Sequence, residues 1–196
     1  VTDPLPNQPE NQSMSRIQVL AAMGITAIVL LVIARIWVTL TPIELMPFHW
    51  RASAAALGIG LGLSITVVSS VVYRLWAAYR ASADFYLDLV LKPLVLPDLL
   101  WLGLLPGLSE ELLFRGVMLP AFGLNAVGVI VSSICFGVMH YSGSQHWAYV
   151  VWATVIGVVL ACSALATGNL LVPLVAHITT NLISSFLWKL SHGTAR

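Results

Sequence analysis

Apolar runs of helical length alternate with short polar breaks along almost the whole chain. Six such runs stand out, at residues 17–40, 52–73, 98–119, 126–140, 147–166 and 170–188. At 1.5 Å per residue the longer ones match the roughly 30 Å hydrocarbon layer of a bilayer, so each predicts a transmembrane helix. The fourth is short and calls for tilt or a thinned bilayer. The second is rich in small residues, including Gly58, Gly60 and Gly62, which predicts close approach of neighbouring helices. Within the third, Pro106-Gly107 predicts a break. Gly168-Asn169 predicts a tight turn between the fifth and sixth. Residues 74–97 mix charge with Trp76, Tyr79, Phe85 and Tyr86, the pattern of an amphipathic helix lying on the membrane surface. The expected fold class is therefore all-α: a polytopic membrane helix bundle of about six transmembrane helices with an interfacial amphipathic helix.

Composition strengthens this reading. The chain has 196 residues, of which 59% are hydrophobic and 9% charged, against about 25% charged in an average globular domain. Mean hydropathy is +0.92. From Gly116 to Trp188 there is no Asp, Glu, Lys or Arg. Water-facing surfaces cannot be built from such a run, so lipid is the solvent for most of the chain. Residues 1–15 are polar and Pro-rich and are expected to form a flexible tail, leaving 16–196 as a single membrane domain. The first apolar run follows no basic stretch and precedes no cleavage signal, so it is expected to be a retained span. Arg35 lies inside it and needs an interface or a partner. Cys135 and Cys162 sit in apolar runs and are expected to be small core hydrophobes.

Net charge is +1, and neither a basic cluster nor an aromatic platform points to nucleic acid. The placement of cations is more telling. A cytoplasmic N-terminus would put Arg16, Arg74, Arg80, Lys92, Lys189 and Arg196 on the cytoplasmic side and only Arg51 opposite. The positive-inside rule then predicts that both termini are cytoplasmic.

Ionisable and amide groups inside spans are costly and mark candidate sites. Three sets occur at helical spacing. Glu111 and Arg115 are four apart in the favourable order, on one helix face. Glu110 is turned about 100° from Glu111 and is free to face a cavity. Phe136 and His140 form the second set, and His177 and Asn181 the third. Singly, each has a structural explanation: an ion pair locks helices, and a lone His or Asn joins them. Their recurrence on three spans favours a common site.

In this order on successive apolar helices, E-E-x-x-x-R, F-x-x-x-H and H-x-x-x-N resemble the CPBP (CAAX protease and bacteriocin-processing, or Abi) intramembrane endopeptidases. The flanking Phe114-Arg115-Gly116 and Thr167-Gly168-Asn169-Leu170 are similar too. The resemblance covers roughly residues 97–190. It implies hydrolysis of a peptide bond in a membrane-associated protein or peptide, with the lipid bilayer as the other partner. None of the motif residues is a serine or cysteine, so water is the nucleophile. By resemblance Glu110 is the general base, assisted by His140. His177 and Asn181 supply the oxyanion site, where imidazole N–H and carboxamide NH₂ both donate. Glu111, Arg115 and Phe136 support them structurally.

No cofactor is expected. A zinc site built from Glu and two His is the rival, opposed by the lack of an H-E-x-x-H pair and by Asn being a poor zinc ligand. Outside enzymology the alternatives are a membrane scaffold or a bacteriocin-immunity protein. A scaffold has little reason to keep Glu110, His140, His177 and Asn181 together. A small transporter would need broken helices in two symmetric spans, and only the third run carries such a break.

Overall fold

The computed structural model describes residues 14–193. The expected flexible tail therefore lies outside the described residues, except for Met14 and Ser15. Eight α-helices follow in order: α1 (Arg16–Leu40), α2 (Ala52–Leu75), α3 (Ala77–Leu91), α4 (Leu99–Glu111), α5 (Leu119–Phe122), α6 (Ala126–Met139), α7 (Trp147–Thr167) and α8 (Leu171–Gly193). A π-helical segment, Leu112–Met118, joins α4 to α5. Ser15 and Gln18 form a capping box on α1, and Asn125 caps α6 by accepting from Val127 and Gly128, both satisfying orphan first-turn N–H groups.

All six apolar runs are helical. Four helices (α1, α2, α7 with the turn before it, and α8) are long and apolar enough to cross a membrane, or five if α3 and the path 96–122 count as one broken span. That pair is bent by 108°. At 14 residues, α6 rises only about 21 Å. The expected break at Pro106 is absent. Helix α4 continues through it, as prolines are tolerated inside apolar spans where neighbouring helices and local adjustments re-satisfy the freed backbone groups. The irregularity comes later, in the π-helical segment. Its Gly116 carbonyl accepts from Met46 N–H at 3.1 Å, so the buried Met46 loop packs onto it.

Helix α8 lies at the centre because small residues let two helices approach it. A Cβ on Gly58 or Gly62 of α2 would come within 2.8 Å of the Val172 or 2.6 Å of the Ala176 carbonyl. On Gly107 of α4 it would come within 2.5 Å of Ile178 Cγ1. Gly60, grouped with Gly58 and Gly62 in the sequence, faces open space instead. Gly168, at φ +57°, makes the expected turn into α8. Asn169 then bridges that turn to the 41–51 loop, donating to the His49 carbonyl at 2.8 Å and accepting from His49 N–H at 3.0 Å.

Both cysteines are exposed rather than buried. In a membrane bundle the outer surface is as apolar as the core, so an apolar run does not tell the two apart. Arg35 is exposed on the outer face of α1, where its long stem can snorkel.

One end of the bundle gathers the charges. Arg16 grips Asp98 through Nε and Nη2 at 2.7 and 2.8 Å, tying the start of α1 to the start of α4. Lys189 Nζ donates to the Lys92 carbonyl at 3.3 Å. Beneath them Val19, Leu91, Leu94 and Leu99 form an apolar cluster that also packs Trp188. Helix α3 lies across this end, with Tyr79 and Ala83 buried against Ala148 of α7.

Candidate functional site

Two of the three motifs meet on one carboxylate oxygen, Glu111 Oε1. Helix α4 delivers Glu110 and Glu111 in its last turn, and the π-helical segment carries Arg115. Arg115 Nη1 donates to Glu111 Oε1 at 2.7 Å, and neither side chain has any solvent exposure. The (i, i+4) spacing thus pairs them as expected. The other end of the guanidinium donates from Nη2 to the Gly157 carbonyl of α7 at 3.0 Å. Its carbon sits 4.4 Å from the centroid of Phe136 on α6, a cation–π contact that offsets part of the cost of burying charge. From α8, His177 donates its Nδ1–H to the same Glu111 oxygen at 2.8 Å. An ionised carboxylate only accepts, so in that pairing the nitrogen carries the proton.

Glu110 has a different environment. It is 6% exposed, and its Oε2 is buried with no hydrogen-bond partner among the described residues. Tyr86 of α3, Tyr149 of α7 and Arg115 lie within electrostatic range of it. The rotation between the two glutamates separates their surroundings: Glu111 is tied to Arg115 and α8, and Glu110 is not.

His140 caps the C-terminal end of α6, and its Nδ1–H donates to the Phe136 carbonyl at 2.8 Å. In the neutral ring Nε2 therefore holds the lone pair. Three rings surround it, with centroids at 4.9 Å for Phe136, 6.0 Å for Tyr149 and 6.4 Å for Tyr86. Phe136 also meets Phe114 and His177 edge-on, at 5.5 and 5.7 Å. This one side chain thus touches members of all three motifs. Asn181 stands one turn beyond His177 on α8, half-buried and outside the Glu111–Arg115–His177 hydrogen-bond set. Among the described residues no three His, Cys, Asp or Glu side chains stand in metal-holding geometry.

Glu110, Glu111, Arg115, Phe136, His140 and His177 are brought together, with Asn181 following by helical register. Tyr149 was missed by sequence reasoning, as was the Gly157 carbonyl. Tyr86 was legible only as part of an amphipathic segment. Tyr79 and Tyr86 are seven apart, which puts them on one face of α3. That spacing signals a packed face without naming its partner.

Residues 92–183 match the family model described as type II CAAX prenyl endopeptidase Rce1-like. Over 97 residues the chain is 29% identical to the uncharacterized protein YpbD of Bacillus subtilis (strain 168), covering 50% of this chain and 49% of that one. The match thus spans about half the length of that relative. No solved structure matches the chain. The family resemblance carried by the motifs is borne out over residues 92–183, a segment that holds all of the motif residues and excludes α1 to α3.

Proposed function

With residues 92–183 matched to the Rce1-like endopeptidases, we propose that this integral membrane protein is an intramembrane endopeptidase of glutamate type, hydrolysing a peptide bond in a membrane-associated protein or peptide. The observation that carries the reading is the division between adjacent carboxylates. Each carboxylate has a buried, unpartnered Oε2, but Glu111 Oε1 is held by Arg115 and His177, whereas the Glu110 side chain makes no hydrogen bond to any described residue. An acceptor held that way is suited to a water molecule and its proton.

In this mechanism Glu110 draws a proton from water as the oxygen attacks the scissile carbonyl carbon, and His140 orients the water through Nε2. The tetrahedral oxyanion is held by Asn181 Nδ2 and His177 Nε2. His177 already donates from Nδ1, so donating from Nε2 as well requires the imidazolium form, whose charge faces Glu111 at 2.8 Å. Collapse breaks the C–N bond, and the leaving amine takes the proton from Glu110. No metal takes part.

The reading also assigns a side. Glu110 and Glu111 stand about a dozen residues along α4, so they lie roughly 18 Å from its charged end. With Arg16, Lys92 and Lys189 gathered there, the positive-inside rule makes it cytoplasmic, and substrate enters from that face. The test is proteomics of membranes from cells carrying the wild-type chain or Glu110→Gln. A membrane-anchored protein or peptide that accumulates uncleaved only in the variant is expected. Identical peptide populations would overturn the proposal.

A further inference from the structure

Helix α3 lies outside the segment matched to the family, yet it places an aromatic ring at the site. Tyr86 stacks on Tyr149 with centroids 4.8 Å apart and planes within 17°. Both rings flank His140, whose third neighbour is Phe136. The result is an imidazole bounded by rings from α3, α6 and α7.

The position of Tyr86 is fixed by contacts on either side of it along α3. Toward the N-terminal end, Trp76 meets Trp147 edge-on at 5.8 Å, and Tyr79 packs on Tyr149 at 6.1 Å and Trp152 at 5.7 Å. The adjacent Phe85 stacks on His146 at 4.0 Å. Trp152 is itself tethered, donating to Ser69 Oγ at 3.1 Å. The ring partners of Trp76, Tyr79 and Phe85 all lie in the segment 146–152 that follows His140 in the chain. The nearby Asp84 is engaged elsewhere, accepting from the Tyr73 hydroxyl at 2.5 Å.

We propose that Tyr86 and Tyr149 are positioning residues that hold the His140 ring in the one orientation in which its Nε2 serves the reaction. His140 is the terminal residue of its helix, and a single hydrogen bond from Nδ1 leaves its ring otherwise free to swing. Tilted rings on three sides, at 4.9–6.4 Å, restrict that freedom. Aromatic faces and edges also suit an imidazole better than aliphatic groups do, whether it is neutral or charged. The titratable groups facing the box are Glu110 from α4 and the two tyrosines, with Arg115 and His177 lying across Phe136.

The proposal rests on the endopeptidase reading for its kinetics, but the ring geometry is tested separately. Tyr86→Leu and Tyr149→Leu are compared with Tyr86→Phe and Tyr149→Phe in purified full-length protein. One arm measures kcat and KM on a cleaved peptide. The other follows the His140 ring nitrogens by NMR through a pH titration, assigned with His140→Gln. Displacing a reacting group by about an ångström costs up to a hundredfold. The Leu variants are therefore expected to lose about tenfold or more in kcat with KM little changed, and the Phe variants to recover most of that loss. The His140 signals should change from one fixed tautomer to a mixture in the Leu variants alone. Wild-type His140 spectra in folded Leu variants would overturn the proposal, as would Phe variants as impaired as Leu. If the wild-type chain cleaves nothing, the endopeptidase reading falls, while the His140 spectra still decide the positioning role.

Discussion

His177 donates its Nδ1–H to Glu111 at 2.8 Å across 66 residues of sequence. This bond gives Glu111 two tasks. It neutralises Arg115 within its own helix, and it fixes which nitrogen of His177 remains for chemistry. In the proposed mechanism His177 is an oxyanion donor, and the bond adds the condition that the ring carries a second proton while it donates. Glu111 is thus a lock between α4 and α8 and an orienting group together.

The two glutamates should respond differently to loss of charge. Glu111→Gln leaves the Arg115 guanidinium without a counter-charge at a position with no solvent exposure, and Arg115→Ala leaves the buried carboxylate with His177 alone. Breaking a buried pair from one side costs about 3–5 kcal/mol. Both variants are expected to show lower thermal stability in detergent and less folded protein in the membrane. Glu110→Gln should fold normally and lose cleavage to background. The opposite pattern would exchange the two roles.

Asn181→Ala removes one donor to the developing oxyanion, and such a donor is typically worth about 10² to 10³ in rate. We expect kcat to fall by that factor while KM and thermal stability change little, because the side chain lies outside the buried hydrogen-bond set. A rise in KM with unchanged kcat would make Asn181 a substrate-binding group instead.

Gly107→Ala tests how the site is held together. The new methyl would sit 2.5 Å from Ile178 Cγ1, next to His177, and 3.4 Å from the Ile178 backbone. A branched side chain has little rotamer freedom with which to yield, and overpacking of this kind costs about 1–3 kcal/mol. Helix α8 should shift outward and stretch the Glu111–His177 bond, lowering both activity and stability. Adding Ile178→Ala should restore much of each. Gly60→Ala, where nothing lies within 4 Å, should leave both unchanged.

Sidedness can be read by labelling. In a background with Cys135→Ser and Cys162→Ser, Lys92→Cys and Arg51→Cys are both exposed positions at opposite ends of the bundle. A membrane-impermeant maleimide should reach position 92 only from the cytoplasm and position 51 only from the other side. Labelling in the reverse sense would invert the assigned entry face.

Cleavage should persist in a strong chelator and gain nothing from added zinc. Chelator-abolished activity that zinc restores would replace the glutamate mechanism with a metal one.

Hydropathy and spacing determined a great deal by themselves. A span announces itself in sequence because every residue of an apolar run meets the same solvent. The (i, i+4) pairs were legible because 3.6 residues per turn is a local rule, which is why Glu111 and Arg115 pair as their spacing requires. Only the tertiary structure decided which of two adjacent glutamates meets His177, since that depends on how α8 settles against Gly103 and Gly107. It decided likewise that Gly58 and Gly62 are contact points while Gly60 is not, and that Cys135 and Cys162 face outward. In a bundle bathed in lipid the inside and outside are equally apolar, so the pattern that reveals a helix does not reveal its buried face. The tyrosines around His140 were hidden for the same reason. Tyr86 and Tyr149 are 63 residues apart in sequence, and no local periodicity records that α3 folds back across α7.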